Sequence, residues 1–252
     1  SLFVIPLIRQ SNKVLFAAAI FFALQPIELV YIVLGLLNPE LTPLYLGSNE
    51  DFGAIMPQQI NGSFFDVAWV SLKHGIPVNF TWAIENGRFT QTIFLFIAGI
   101  LLGRYRYLYD EGNNRLHWKK TMLYSLIGFA VFYPLYTYVP GTIDNVCVSH
   151  SLGIMLKAWM NLSMMLFYVS GITWLYHCTK AGKKLIVIAP YGKMSLTNYM
   201  TQSIFGAMLF YGWGFGLYQY CGHTASLLLG IAFVGLQYLF CRWWLKSHKR
   251  GP

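Results

Sequence analysis

Several separate apolar runs, each about as long as a lipid bilayer is thick, constrain this chain more than any other feature. A helix needs about 20 apolar residues to cross roughly 30 Å of hydrocarbon. Six runs meet or approach that length: Val14–Leu37, Thr92–Leu108, Thr121–Val139, Ile154–Cys178, Met194–Trp213 and Thr224–Leu245. Lipid offers no partner to backbone amide groups, so such runs cross it as helices. The sequence therefore predicts an all-α, polytopic transmembrane helix bundle of about six spans.

The composition excludes an ordinary soluble domain. The 252 residues are 56% hydrophobic and 11% charged, whereas soluble chains carry about 25% charged residues. The mean hydropathy is +0.49, and the abundant aromatic residues suit the belts found at lipid interfaces. We expect one membrane domain over residues 1–252 that forms the C-terminal portion of a longer chain, because the opening SLFVIPLI looks like the end of an earlier span.

The positive charge follows the connections between the runs. The net charge is +9, and 15 of the 18 Lys and Arg residues fall on alternate connections, which six spans would place on one side of the membrane. Basic connections face the cytoplasm, so both ends of the chain are predicted to be cytoplasmic. Nucleic acid is excluded as a partner, because its binding needs basic and exposed aromatic residues gathered on one folded face. The lipid bilayer is the expected partner.

Residues 38–91 form the longest segment between two runs. The acidic residues of this segment outnumber its basic ones: Glu40, Glu50, Asp51, Asp66 and Glu85 against Lys73 and Arg88. The charge pattern predicts one larger extracytoplasmic loop here. Amphipathic stretches such as FFDVAWVSL predict one or two short helices lying on the membrane surface, and a packed loop that caps the bundle is the alternative.

The first run places polar residues at membrane depth. Gln25, Pro26 and Glu28 lie near the middle of FAAAIFFALQPIELVYIVLG. A charge at that depth costs roughly 2.5–3.5 kcal/mol on insertion scales, so Glu28 must face protein or water, pair with a base or be protonated. Pro26 has no backbone N–H, which frees the carbonyl of Phe22 for Gln25 or a neighbouring helix. Glu28 is therefore a candidate site residue, with a neutral structural acid beside a kink as the alternative.

A second polar group lies where the fifth run begins, in GKMSLTNYMTQS at 192–203. On a helix, Ser195, Asn198 and Gln202 fall at spacings of three and four and form one narrow stripe. In one interpretation, this stripe forms hydrogen bonds to another span and so stabilises the packing of the two helices. In the alternative, it lines a polar cavity or substrate path. For that alternative the candidate cavity residues are Lys193, Ser195, Asn198, Tyr199 and Gln202.

Other side chains give weaker signals. Lys157, near the outer end of the fourth run, is expected to extend its amine to the membrane interface. His74 and His150 can accept protons, but neither has a recognisable partner motif. The four cysteines show no metal-ligand spacing, and no metal site is predicted. No hydrolase, zinc-protease or nucleotide-binding motif assigns a catalytic residue.

The segment APYGKMSLTNYMTQSIF resembles the signature G-R-M-A-L-T-N-Y-L-x-Q-S of the domain-of-unknown-function 418 (YeiB-like) bacterial membrane proteins. The matching positions are Gly192, Met194, Leu196, Thr197, Asn198, Tyr199, Gln202 and Ser203. Lys193, Ser195 and Met200 stand where the family has Arg, Ala and Leu. FIAGILLGR (Phe96–Arg104) and the ending RWWLKSHKRGP are similar to two further family segments, so the resemblance covers most of the chain from about Gly62.

This resemblance implies a relation to membrane acyltransferases, including the heparan-glucosaminide acetyltransferase type. Such enzymes move an acyl group from a cytoplasmic donor, here acyl-CoA, to an acceptor across the membrane, here a cell-envelope glycan or lipid. Their reactive histidine lies in early spans near an Arg-Gly motif that is not in this chain, so the N-terminal half of the same protein is an expected partner. Lys193, Asn198 and Gln202 would lie where the donor's polar head enters. The implied location is the bacterial cytoplasmic (inner) membrane.

Two other functions stay open. Glu28 beside Pro26 is the kind of carboxylate in a broken helix that a proton-coupled transporter or exporter uses, although no internal repeat is visible in the sequence. A non-catalytic membrane scaffold would have its polar stripe fully bonded inside the bundle. Homodimer formation is also left open.

Overall fold

In the computed structural model, residues 2–249 and 251 are described, and they form helices and turns with no strand among them. The α-helices are α1 (Asn12–Ala23), α2 (Pro26–Leu37), α3 (Ser48–Asn61), α4 (Phe64–Val70), α5 (Ile76–Glu85), α6 (Arg88–Arg104), α7 (Asn114–Tyr138), α8 (Val146–Cys178), α9 (Lys180–Lys183), α10 (Ala189–Lys193), α11 (Ser195–Phe210) and α12 (His223–Trp244). Short 3-10 segments cover Leu2–Arg9, Pro140–Thr142, Lys184–Ile188 and Leu217–Gln219. The all-α prediction is confirmed.

These helices belong to two compact units. Unit 1 contains the chain up to Ser48 together with Asn79–Gly182, and unit 2 contains Asn49–Val78 together with the chain from Lys183 onward. The three boundaries fall next to the first residue of α3, within α5 and within α9, so each unit is assembled from two separate parts of the sequence.

The core of unit 1 lies where α1 packs on α6. Leu15 and Ala19 of α1 contact Ile97 and Leu101 of α6, and all four side chains are buried. Each pair is spaced by four residues, which places both side chains of a pair on the same face of their helix. At the end of α6, the Arg104 guanidinium donates hydrogen bonds to the carbonyl oxygens of Ile8 (2.6 Å) and Gln10 (2.9 Å). Arg104, the last residue of FIAGILLGR, therefore fixes the segment that precedes α1.

The rest of unit 1 is built around α8, which packs along both α7 and α2. Asn145 caps the start of α8 by accepting a hydrogen bond from the Val148 backbone N–H at 3.0 Å. Its side-chain amide also donates to the carbonyl oxygen of Gly35 in α2 at 2.8 Å. The basic turn before α7 is held by ion pairs that join Arg106 to Glu111 and Arg115 to Asp110.

Unit 2 joins α3 and α4 to the helices from α10 onward. Ser63 and Asp66 form a reciprocal capping box at the start of α4, which satisfies backbone N–H groups that the first turn leaves unpaired. The Gln59 side chain of α3 donates to the Tyr211 hydroxyl at 3.1 Å, and the Gly212 N–H donates to the Gln59 carbonyl at 2.9 Å. These bonds attach α3 to the end of α11.

Three helical segments among the described residues are long and apolar enough to cross a membrane: Asn114–Thr142 (α7 with its 3-10 extension), α8 and α12. The pair α1 and α2, bent by 45° at its break, makes a fourth if it forms one span. The share of the most apolar stretch that is buried inside the protein is 6% in Asn114–Thr142, 22% in α8 and 11% in α12. Exposed apolar faces of this extent require a non-aqueous neighbour. The helices therefore indicate a membrane protein.

Helices also cover the two remaining predicted spans, but they are short. α6 has 17 residues and α11 has 16, against the about 20 that a perpendicular crossing needs. The count of six spans and the cytoplasmic placement of both ends stay predictions.

The segment at 38–91 is more helical than the sequence predicted. One or two short helices were expected, and the structure has α3, α4, α5 and a π-helical turn at Ser71–Gly75. Pro57 lies inside α3, where proline usually ends a helix, so the sequence alone argued against a helix of this length. The extracytoplasmic placement of the segment stays a prediction.

Candidate functional site

The predicted break in the first run is present in unit 1. α1 ends at Ala23, α2 begins at Pro26, and Gln25 between them adopts a left-handed conformation with φ of 55°. Pro26 suits the first position of a helix, where no N–H is needed. Gln25 and Glu28 are both only 2% exposed, so these two polar side chains of the first run point into the protein.

Neighbouring segments satisfy the polar groups that the break leaves. The Phe22 carbonyl, the one that Pro26 was predicted to free, accepts from the Gln25 backbone N–H at 3.2 Å. The Trp159 indole N–H of α8 donates to the next carbonyl, that of Ala23, at 2.7 Å. The Thr90 hydroxyl of α6 donates to the Gln25 side-chain oxygen. Gly87, just before α6, has φ of +63°, and a Cβ there would lie 2.7 Å from an Ile154 methyl and 3.0 Å from the Gln25 oxygen. The break is therefore packed against α6 and α8.

Glu28 is the exception to this bonding. Its Oε1 atom is buried and has no hydrogen-bond partner in the described part of the chain, and Ser151 of α8 is the side chain that bonds the carboxyl group. The sequence required Glu28 to face protein or water, to pair with a base or to be protonated. In the structure it faces protein, and it forms no ion pair with a described basic residue. A buried oxygen without a partner is costly, so this position is unusual on physical grounds.

A polar cavity of about 580 Å³ lies near the connection between α7 and α8 in unit 1. Its walls come from the end of α5, the start of α6, the end of α7 and the first turns of α8. We call it the polar cavity, and it is lined by Trp82, Asn86, Arg88, Gln91, Tyr136, Thr137, Pro140, Ser149, His150, Gly153, Ile154, Lys157, Ala158 and Asn161. Its size is in the usual range of about 300–1,000 Å³ for small-molecule sites.

The polar cavity has a positive lining. Arg88 and Lys157 contribute cations, and the described lining includes no aspartate or glutamate. Arg88 donates to the Gln91 side-chain oxygen at 2.9 Å, and the Gln91 amide donates to the Ala158 carbonyl at 3.3 Å. The sequence singled out Lys157 and His150 as separate residues and did not predict this cavity. Arg88, the third basic residue of the lining, is about 60 residues earlier in the chain.

In unit 2, Asn198 of α11 lies inside the protein. Asn198 is 3% exposed, and its side-chain amide donates to the Tyr191 carbonyl at 3.0 Å. Its side-chain oxygen accepts from the Cys241 thiol of α12 at 3.4 Å. The side chain thus joins α10, α11 and α12.

Gln237 of α12 completes this network. Its amide donates to the Asn198 carbonyl at 3.0 Å and to the Thr201 hydroxyl at 2.7 Å. Its oxygen accepts from the Tyr191 hydroxyl and from the Gln202 amide, each at 3.0 Å. Sequence reasoning missed Gln237 and Cys241, although their four-residue spacing and the polar character of Gln237 in an apolar run were visible signals.

The other predicted residues of this motif lie apart from the network. Lys193, Ser195 and Tyr199 are exposed, and Tyr199 is 69% exposed. Beside Gln202, a largely apolar groove of about 500 Å³ runs between α11 and α12, with Gly206 and Gly230 in its walls. Asn198 is packed and bonded, whereas Lys193 and Gln202 are exposed. Contact of these three residues with the polar head of acyl-CoA stays a prediction.

His74 gains a partner that the sequence did not reveal. The His74 Nδ1 atom lies 2.7 Å from an Asp51 carboxylate oxygen, within unit 2. His74 belongs to the π-helical turn Ser71–Gly75 and Asp51 to α3. A carboxylate on Nδ1 fixes the tautomer of a histidine and leaves Nε2 to accept a proton.

Comparisons with known proteins match a large part of this chain. A family model described as "Protein of unknown function (DUF418)" matches residues 102–252. The uncharacterized protein YxaH of Bacillus subtilis (strain 168) is 30% identical over 161 residues, which are 63% of this chain and 36% of that relative. The chain thus spans little more than a third of the relative's length. No solved structure shows significant similarity to the chain.

Proposed function

Because the chain belongs to the DUF418 family of proteins of unknown function, we propose its function from the resemblance to membrane acyltransferases and from the polar cavity. The proposal is an acyltransferase-like protein of the bacterial cytoplasmic membrane. In this proposal the polar cavity of unit 1 binds the acceptor, a glycan or lipid of the cell envelope. The observation that carries the proposal is this cavity of about 580 Å³, with its many hydrogen-bonding side chains, in a protein of exposed apolar helices.

The lining of the polar cavity suits an acceptor rich in hydroxyl groups. Asn86, Gln91 and Asn161 present carboxamides, which donate and accept hydrogen bonds. Trp82 and Tyr136 add aromatic surface. The cavity lies at the α7–α8 connection, which the charge pattern predicts to be extracytoplasmic, as an envelope acceptor requires.

Histidine is the residue type that most often serves as a general base in enzymes, and His150 is the histidine in the described lining of the polar cavity. In an acyl transfer from a thioester to a hydroxyl, the C–S bond of the thioester breaks and a C–O bond forms. The hydroxyl proton passes to a base and finally to the thiolate. We assign His150 the role of that base in the proposal. A positioned general base contributes about 10²–10⁴ in rate.

The donor site is a separate part of the proposal. Asn198 and its neighbours are bonded to one another, so they do not support a place for the donor's polar head in unit 2. We therefore assign the acyl-CoA site to the N-terminal half of the same protein and the network around Asn198 to the cohesion of unit 2.

The test replaces His150 by Gln in the full-length protein and measures acyl groups on envelope glycans and lipids by mass spectrometry. Lys120→Gln is the matched control, because Lys120 is an exposed residue outside the polar cavity. We expect His150→Gln to lower acylation about 100-fold or more and the control to leave it unchanged. Normal acylation by the His150 variant at normal protein levels, or an absence of acyl-CoA binding by the full-length protein, would refute the proposal.

One observation favours a second candidate, a proton-coupled transporter. Glu28 is a buried carboxyl group with an unpartnered oxygen beside a broken helix, and such carboxyl groups carry protons in transporters. In proteoliposomes with a pH-sensitive dye inside, Glu28→Gln should abolish proton flux that Glu40→Gln, an exposed control, leaves intact. Equal flux in both variants would rule out this candidate.

A further inference from the structure

We propose that Arg88 and Lys157 bind the phosphate of an anionic ligand in the polar cavity. This inference rests on the proposed function, since it names the chemical class of the acceptor as a phosphate-bearing envelope molecule. The phosphate could belong to a lipid headgroup or to a water-soluble molecule, and the experiment below separates these two sources.

The first support is that no acidic residue in the described part of the chain forms an ion pair with either cation. The ion pairs of the described residues join His74 to Asp51 and two arginines of the basic turn to nearby acids, and none includes Arg88 or Lys157. Glu85, the acid nearest to Arg88 in the sequence, instead accepts hydrogen bonds from the Leu46 N–H and the Ser48 hydroxyl. Two unpaired cations lining one cavity favour a negatively charged ligand.

The second support is that Arg88 is held in place. One of its five donors is used by the Gln91 side chain, and Gln91, only 8% exposed, is itself bonded to the Ala158 carbonyl of α8. The remaining donors of a guanidinium form a planar fork that bonds two phosphate oxygens at once. Lys157 adds a point charge with three donors on the same cavity.

The third support concerns the surroundings of the polar cavity. Tyr136 and Thr137 of α7 line it, while only 6% of the most apolar stretch of the span Asn114–Thr142 is buried in the protein. Acyl chains of a lipid lying along α7 would therefore place a headgroup next to the cavity. The alternative is that Lys157 only extends its amine to the membrane interface. In that case the protein would not prefer lipids with a phosphate over lipids without one.

The experiment measures which lipids stay bound to the full-length protein. The protein is purified in detergent, mixed with phosphatidylglycerol or with diacylglycerol of the same acyl chains, and examined by native mass spectrometry. We expect wild-type protein to retain phosphatidylglycerol about tenfold more than diacylglycerol. Arg88→Gln with Lys157→Gln should remove that preference, and Lys120→Gln, which removes an exposed cation elsewhere, should preserve it. Equal preference in wild-type protein and the double variant would overturn the inference.

Excess glycerol phosphate distinguishes the two sources of the phosphate. Displacement of phosphatidylglycerol shows that a soluble phosphate suffices, and retention shows that the lipid is needed. If the double variant does not fold, Asn161→Asp and Asn161→Gln form a second pair. The added carboxylate should expel the anionic lipid, while the amide should retain it, and equal retention by the two would overturn the inference.

Failure of this inference and failure of the proposed enzyme give different results. Selective lipid binding together with normal acylation by His150→Gln would keep the anion site and remove the enzyme. Acylation that depends on His150, in a protein with no preference for phosphate, would support the enzyme and reject the anion site.

Discussion

At the scale of single residues, the motif of the fifth run has two kinds of position. Asn198 and Gln202 bond to residues of α10 and α12, whereas Lys193, Ser195 and Tyr199 are exposed. Helical spacing predicted that Ser195, Asn198 and Gln202 share a face, but it could not show that Asn198 alone is buried among them. That depends on Gln237 and Cys241, about 40 residues later in the chain.

We predict that Asn198→Ala destabilises the protein. The change leaves the Tyr191 carbonyl and the Cys241 thiol without the bonds that Asn198 provides, at a cost of about 1–3 kcal/mol. The thermal unfolding midpoint of the purified protein in detergent should fall by several degrees. Tyr199→Ala, at the next and 69% exposed position, is the matched control and should change it little. Equal midpoints for the two variants would contradict the structural role of Asn198.

At the scale of elements, the break between α1 and α2 shows what the sequence can and cannot predict. Gln25-Pro26 in an apolar run was enough to predict a kink and a freed carbonyl. Trp159, the partner of the Ala23 carbonyl, lies about 135 residues away on α8, so only the packing of that helix reveals it. The polar cavity was missed for the same reason, because its cations come from helices distant in the sequence.

We predict that alanine destabilises the protein at Gly87, just before α6, but not at Gly99, inside α6. Gly87→Ala places a side chain at φ of +63° and 2.7 Å from Ile154, where the left-handed backbone alone costs about 1–2 kcal/mol. Gly99→Ala meets no atom within 4 Å inside α6 and should gain up to about 1 kcal/mol from helix propensity. Thermal unfolding should show a lower midpoint for the first and an unchanged or higher one for the second. A lower midpoint for the Gly99 variant would contradict the prediction.

At the scale of the whole molecule, the sequence predicted the class of protein better than its arrangement. The long apolar runs became helices, and three of them, or four with the bent pair, are able to cross a membrane. Charge bias gives a topology but no packing, so the division into two units, each made of two separate parts of the chain, had no sequence signal. The short α6 and α11 leave the number of spans to be measured.

Two native cysteines allow the topology to be measured. Cys178 and Cys221 are partly exposed, whereas Cys147 and Cys241 are buried. The charge pattern predicts that Cys178 faces the cytoplasm and Cys221 the outside. In intact cells a membrane-impermeant maleimide should label Cys221 alone, and permeabilised cells should show both labels. Cys178→Ser and Cys221→Ser identify each label, and labelling of Cys178 in intact cells would reject the six-span topology.

The position of the polar cavity also has a pharmacological consequence. The cavity is next to the α7–α8 connection, which the charge pattern predicts to lie outside the cytoplasm. A charged compound that never enters the cell would therefore reach it directly, so efflux pumps and slow uptake would not protect the protein. Phosphonates with two negative charges are the natural starting point for such an inhibitor.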